Sequence, residues 1–238
     1  MKKIIALVLT VVLLFTTSVV LISCKDDFDG CEYAQTRDIE GRDIKYVEIS
    51  FQRYGKVVLL LDATTAPKTV ENFIELVNSG FYNGLKMHRI IQDFMIQGGD
   101  PKGNGTGGSD KTIVGEFSSN GRQNDISHIK GVISMARSDD KNSASSQFFI
   151  CNADASASLD GNYAAFGYVV DGLSVVDKIT EKVFPKTAYA DYYNNYTIDS
   201  TYNTYKHYVW QYFGNGTVEK DEDKPVIEYI KVLENYEG

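Results

Sequence analysis

His88-Arg-Ile-Ile-Gln-Asp-Phe-Met-Ile-Gln-Gly-Gly-Asp100 carries the reading of this chain. Two short apolar runs, around Lys86–Ile91 and Phe94–Gly98, flank a polar turn and read as paired strands. Arg89 and Gln97 sit inside these apolar runs. A buried arginine is rare unless it is paired, so Arg89 is either neutralised by a carboxylate such as Asp93 or Glu116, or kept for chemistry.

Outward from this block the same pattern repeats. Before it, Tyr46–Phe51 and Lys56–Leu61 form a hairpin candidate across Gly55, and a helix follows. Pro67 suits the first helical position, Val70, Phe73, Ile74 and Val77 recur at helical spacing, and Asn78-Ser79-Gly80 supplies the stop. After it come short strands at Gly131–Ala136, Gln147–Cys151 and Ala165–Val170, a second helix near Leu173–Lys182, and a last strand through Val226–Leu233. Many short strands with two helices favour a closed antiparallel barrel over an alternating parallel sheet.

Several function classes are excluded. The 238 residues carry 24 basic and 32 acidic side chains, a net charge of −8, which opposes general nucleic-acid binding. Three cysteines are too few for a disulfide scaffold or a four-thiolate zinc site, and His88, His128 and His207 show no metal-ligand spacing. Gly103-Asn-Gly-Thr-Gly-Gly108 fits G-x-G-x-x-G, but no helix follows, so it reads as a tight turn. Ser134, Ser143, Ser145 and Ser146 lie outside any nucleophile elbow, which disfavours a hydrolase.

Further motifs complete the set: Pro67-Lys-Thr-Val-Glu-Asn-Phe73, Gly131-Val-Ile-Ser-Met-Ala-Arg137, Ser145-Ser-Gln-Phe-Phe-Ile-Cys151 and Leu159-Asp-Gly-Asn-Tyr-Ala-Ala-Phe-Gly167. In this order the chain resembles the cyclophilins from about residue 45 to 183 and again in the last strand, with Met87 in place of the phenylalanine that leads the family signature. The resemblance implies an eight-stranded antiparallel barrel capped by two helices, peptidyl-prolyl cis-trans isomerase activity on proline-containing polypeptides, and no cofactor or metal. It makes Arg89 the catalytic arginine, with Gln97 beside it. Phe94, Met95, Phe149 and Leu159 become the proline pocket; Gln97, Ala136 and Gln147 the groove for peptide backbone, edged by Arg137 and Ser138. Tyr163 stands where many members have histidine. Ser158 replaces the aromatic associated with cyclosporin binding, and one extra residue lies between Cys151 and Leu159.

The two ends of the chain are separate matters. Lys2 and Lys3 precede an apolar run from Ile4 to Ile22, the pattern of a secretion signal, and Leu21-Ile22-Ser23-Cys24 resembles a bacterial lipobox. This implies removal of residues 1–23, lipidation of Cys24, and a body held at the cell envelope outside the cytoplasmic membrane; the alternative, an uncleaved apolar anchor with an incidental cysteine, places the body on the same side. Cleavage lowers the 24 basic groups to 22 against 32 acidic ones, a net −10. Residues 24–44 read as a polar tether spanning roughly 25 Å if flexible; Cys31 within it and Cys151 are either free thiols or bridged. Residues 186–223 hold eight of the sixteen tyrosines and the single tryptophan, Trp210. They read as an insertion with a helix at Tyr205–Tyr212, either packed on the barrel or docking a partner protein. The leading function is a membrane-tethered prolyl isomerase for exported proteins; the alternative is a catalytically weak binding module that uses the insertion. A solute-binding lipoprotein would require two α/β lobes that the pattern lacks.

Overall fold

The computed structural model describes residues 29–183, 216–218 and 221–236. The signal segment 1–23, Cys24 and the Tyr205–Tyr212 helix expected in the insertion lie outside the described residues.

Eight antiparallel strands form one curled sheet: β1 (Ile44–Phe51), β2 (Gly55–Asp62), β3 (Arg89–Ile91), β4 (Met95–Gly98), β5 (Val132–Met135), β6 (Phe148–Cys151), β7 (Ala165–Asp171) and β8 (Ile227–Leu233). Their order is β3-β4-β6-β5-β7-β2-β1-β8. This corrects the expected closed barrel, because no ladder joins β3 to β8. Among the described residues the seam is crossed by an isolated bridge between Lys86 and Val226 and by backbone bonds such as Met87 N–H to Pro225 O (2.8 Å) and Ile227 N–H to Leu85 O (2.8 Å). The physical reason is that β3 is three residues long. Its outer edge is taken by residues 216–218, with Thr217 bridged to Arg89, so that of the chain expected to be strand from Lys86 only the residues just before β3 reach Pro225–Ile227.

Alternation along the strands builds two apolar faces. On the inner face Ile90, Ile96, Ile150 and Ile133 stand side by side in register across β3, β4, β6 and β5, all fully buried. The helix α2 (Pro67–Asn78), with proline in its first turn, places Phe73 against this core, where it meets Tyr82, Phe148 and Phe166 at centroid distances of 5.1–5.6 Å. The N-terminus of α2 is satisfied from outside the helix: Glu116 accepts from the N–H groups of Lys68 (3.1 Å) and Thr69 (2.8 Å), a carboxylate at the positive end of the helix dipole. Asn72 in turn donates to Ser145 O (2.7 Å), two residues before Gln147, so α2 anchors the strand that leads into the site.

The polar segment read as a tether is, from residue 29 to 43, part of the domain. Cys31 is fully buried and donates its N–H to Val169 O (2.8 Å). Tyr33, at the start of the one-turn helix α1 (Tyr33–Thr36), packs on Tyr168 at 5.6 Å. Asp29 accepts from Ser174 N–H and Oγ (both 2.6 Å) and so caps the second long helix, α4 (Leu173–Val183), after the short α3 (Ser156–Leu159). Buried Asp62 binds Arg42 (2.7 Å) and Arg37 (3.3 Å). Hydropathy did not show this, because the segment is held by ion pairs and by Cys31, Tyr33 and Ala34 against a small cluster rather than by a periodic face. Cys31 and Cys151 are both buried and unbridged.

Asp62 accepts from two arginines and from Thr64 and Thr65 N–H. Asp62→Ala therefore leaves Arg42 without its carboxylate, while Arg37 keeps Asp125, and is expected to cost about 3 kcal/mol. Urea unfolding measures the loss, and limited proteolysis is expected to cut residues 29–43 first.

Candidate active site

The second face of the same strands carries the candidate residues. Arg89 pairs with Gln97 across β3–β4, Gln97 with Phe149 across β4–β6, and Phe149 with Ser134 across β6–β5. Strand alternation thus sets Arg89, Gln97 and Phe149 in one row, while the residues between them face the inner core. Met95, Phe149 and Leu159 are at most 6% exposed and cluster with Ala155 and Cys151, and Phe94, Ala136 and Tyr163 pack at the edge. A cavity of about 450 Å³ opens above them, lined by Arg89, Phe94, Met95, Gln97, Ala136, Phe149, Leu159 and Tyr163 from the sequence reading. Gln147 lies one step behind this lining, and Ser138 lies outside it, bonded to Ser143.

A directed chain of hydrogen bonds fixes the polar rim. Arg89 donates to Gln97 Oε1 (3.1 Å), Gln97 Nε2 donates to Gln147 Oε1 (2.9 Å), and Gln147 Nε2 donates to the carbonyls of Gly105 (3.0 Å) and Gly107 (2.7 Å). Each amide has one orientation in which its oxygen and its NH2 are both satisfied. Gln97 is one partner of Arg89, while Glu116, a carboxylate the sequence offered, is spent on α2. Burial pulls the Arg89 guanidinium below its ordinary range, partly offset by Tyr163. A poorly hydrated cation of this kind interacts more strongly with a nearby dipole than it would in water.

The opposite wall is the glycine loop read as a turn. Buried Asp100 shapes it by accepting from the N–H groups of Lys102 (2.8 Å), Asn104 (3.0 Å) and Gly105 (2.6 Å). Burial pushes this carboxyl up, but those bonds outweigh it and hold it below the usual carboxylate range. Asn104, Gly105 and Thr106 line the cavity, a role the sequence reading missed; the only trace was a glycine-rich run directly after a motif ending in aspartate. Arg137 stacks over Tyr163 (4.7 Å) and Phe117 (5.3 Å) and donates to Asn162 O (2.9 Å). At the usual aromatic position Ser158 turns back to Ala155 O (3.1 Å), within the one-turn helix α3.

His128 fastens the floor. Its ring stacks on Phe149 (6.0 Å between centroids). Nδ1 donates to Asp160 Oδ1 (2.8 Å), and Nε2 accepts from Ser134 Oγ (2.9 Å). The order Asp–His–Ser is that of a nucleophile triad, but Ser134 is fully buried and offers no path for an attacked carbonyl. The network instead ties the Leu159–Tyr163 loop to β5 and β6. Burial lowers the affinity of His128 for a proton despite Asp160. His88, buried with neither ring nitrogen bonded, is lowered by burial and by Lys224 and Arg89, against Asp100.

The fold and the site together define a peptide-binding protein of the cyclophilin type. The model of the cyclophilin-type peptidyl-prolyl cis-trans isomerase/CLD family matches residues 46–203, and the chain belongs to that family. It is 44% identical over 131 residues to peptidyl-prolyl cis-trans isomerase A of Dickeya dadantii, covering 53% of this chain and 67% of that protein. Its identity to a peptidyl-prolyl cis-trans isomerase of Helicobacter pylori is 39% over 154 residues, 61% of this chain and 91% of the other. A crystal structure of a Cryptosporidium parvum cyclophilin-type isomerase, determined in the presence of the dipeptide Ala-Pro, superposes with a TM-score of 0.58 at 26% identity, covering 80% of this chain and 99% of that one.

The two histidines set an acid limit. Both hold fewer protons when folded than when unfolded, so their contribution is complete above the ordinary value of about 6.5 and is lost as pH falls through their depressed folded values. Thermal unfolding followed from pH 7.5 to 5 is expected to show a falling Tm. His88→Phe, which removes a ring that forms no hydrogen bond, is expected to make that fall shallower.

Proposed function

We propose that this chain catalyses rotation about X-Pro bonds in exported polypeptides, with Arg89 as the catalytic group and the cup of Phe94, Met95, Phe149 and Leu159 holding the proline ring. The observation that carries this reading is the juxtaposition of a pinned guanidinium and an apolar cavity on one sheet face.

The barrier to peptide-bond rotation, about 18–20 kcal/mol, comes from sharing the nitrogen lone pair with the carbonyl. No bond has to be broken. The cup holds the ring by burying its apolar surface while the rest of the peptide turns. In the twisted state the nitrogen becomes pyramidal and regains its lone pair. A donor from Arg89 meets that lone pair only when it exists, so the bond favours the transition state over either planar ground state. Gln97 and Gln147 keep the guanidinium from rotating away, so little reorganisation is needed at the moment of reaction. Ala136, whose N–H is given to Gln147 O (2.9 Å), lines the groove along which peptide backbone would lie.

Location rests on the N-terminal sequence. Lys2, Lys3, the apolar run and Cys24 support export, cleavage before Cys24 and a lipid anchor at the cell envelope. A multiply acylated cysteine holds stably where one chain would not, and the negative body has no attraction of its own for anionic lipid.

Arg89→Ala in the full chain is expected to lower kcat/KM for cis-trans exchange of a proline peptide by about 10²–10³ with Tm unchanged. Arg89→Lys is expected to recover little, because an ammonium cannot reproduce the planar fork. Equal rates in wild type and Arg89→Ala would remove Arg89 from the mechanism. A wild type without exchange, yet binding an envelope protein saturably, would instead favour the binding-module reading of the insertion.

The anchor is tested separately. The mature wild-type chain is expected to begin at Cys24 and carry a lipid adduct in the intact mass; Cys24→Ser is expected to lose the adduct and to keep residues 1–23, whose apolar run still holds it in the membrane fraction.

A further inference from the structure

Residues 216–218 lie beyond the part of the chain that matches the family, which ends at 203, yet they are laid along the edge of β3. Ile90 N–H donates to Gly216 O (2.7 Å), Val218 N–H donates to His88 O (2.9 Å), and Thr217 sits in an antiparallel bridge directly opposite Arg89. The segment is firmly seated. Val218 is 5% exposed and belongs to the inner core. Gly216 has a φ of +81°, and a Cβ there would overlap the Ile91 side chain and the Ile90 carbonyl oxygen, so glycine alone permits this close approach. A little further on, Lys224 donates to Gly103 O (2.9 Å), which ties the same returning limb to the glycine loop on the other wall. Between buried Gly216 and Val218, Thr217 is exposed, and it lines the same cavity as Arg89, Phe94 and Tyr163.

We propose that Thr217 is a specificity-determining residue: it forms the rim beside Arg89 against which the residue flanking the substrate proline must fit. This rests on the isomerase reading above and adds a selection that the family's own residues do not supply. A proline ring enters the cup, but the residue next to it has to pass the rim where the bond twists. The threonine side chain at this rim leaves room for a small neighbour and crowds a large apolar one. Because the rim is built on backbone bonds to β3 and not on a loose side chain, its position relative to Arg89 is set by the sheet.

The test is a panel of proline peptides that differ only in the flanking residue, alanine against phenylalanine, assayed with the full chain. Thr217→Ala is expected to raise the kcat/KM ratio of the phenylalanine peptide to the alanine peptide by about threefold or more, and Thr217→Leu to lower it by a similar factor, less than an enclosed pocket would achieve. Gly216→Val, which forces the segment off β3, is expected to move the ratio in the direction of Thr217→Ala. A role confined to stability would lower both peptides in parallel together with Tm. Ratios that do not respond to residue 217 in an active enzyme overturn this inference alone. A wild type that accelerates neither peptide overturns the isomerase reading and this inference with it.

Discussion

Strands β4, β5 and β6 are buried on both faces apart from the half-buried Gln97, and much of the architecture follows from having to cover the second one. The inner face is covered by the curl of the sheet itself and by Phe73 from α2. The other face is covered by irregular chain: the loop that carries Leu159 and Tyr163, and the glycine loop shaped by Asp100. Irregular chain cannot fill a surface as densely as a sheet or helix does, and the cavity above Met95 and Phe149 is what remains. A ring-sized apolar hollow thus arises from strand alternation combined with incomplete coverage.

Loops that border a cavity need restraints, because they have little core of their own. Here the restraints are hydrogen-bonded polar side chains, with Asp100, His128 and Ser134 buried, Gln147 half-buried and Asp160 exposed. Asp160, His128 and Ser134 join one loop to β5 while the His128 ring supports Phe149. Asp100 gathers the N–H groups of the other loop, and Gln147 holds its carbonyls. The same Gln147 ends the chain that orients Arg89. Restraint of the wall and orientation of the guanidinium are therefore one network, so a change at the glycine loop reaches the proposed catalytic group through two side-chain amides.

The outer parts of the chain are less separable from the domain than their composition suggests. The polar N-terminal stretch caps α4 through Asp29 and neutralises Asp62 through Arg37 and Arg42. The limb returning from the tyrosine-rich region occupies the β3 edge, which would otherwise leave unpaired backbone groups beside the site. Both additions use the sheet's free hydrogen-bonding positions and small buried contacts. Neither needs a long amphipathic face, and so neither stands out in hydropathy.

From the sequence alone came the strand and helix order, the family resemblance, and the residues from Arg89 to Tyr163 that meet around the cavity. Those features are local: periodicity two or 3.6, turn residues, and motifs in which neighbours in sequence act together. Tertiary structure decided what depends on partners far apart in sequence. It left the sheet open at the β3–β8 seam, gave Arg89 the Gln97–Gln147 chain for a neighbour, made His128 a fastener, drew residues 29–43 into the body and set Thr217 beside Arg89. The decisive links, Gln97 to Gln147, His128 to Asp160, Asp29 to Ser174 and Thr217 to Arg89, span tens to more than a hundred residues, and a polar residue carries the same sequence signal whether it faces water or a distant partner.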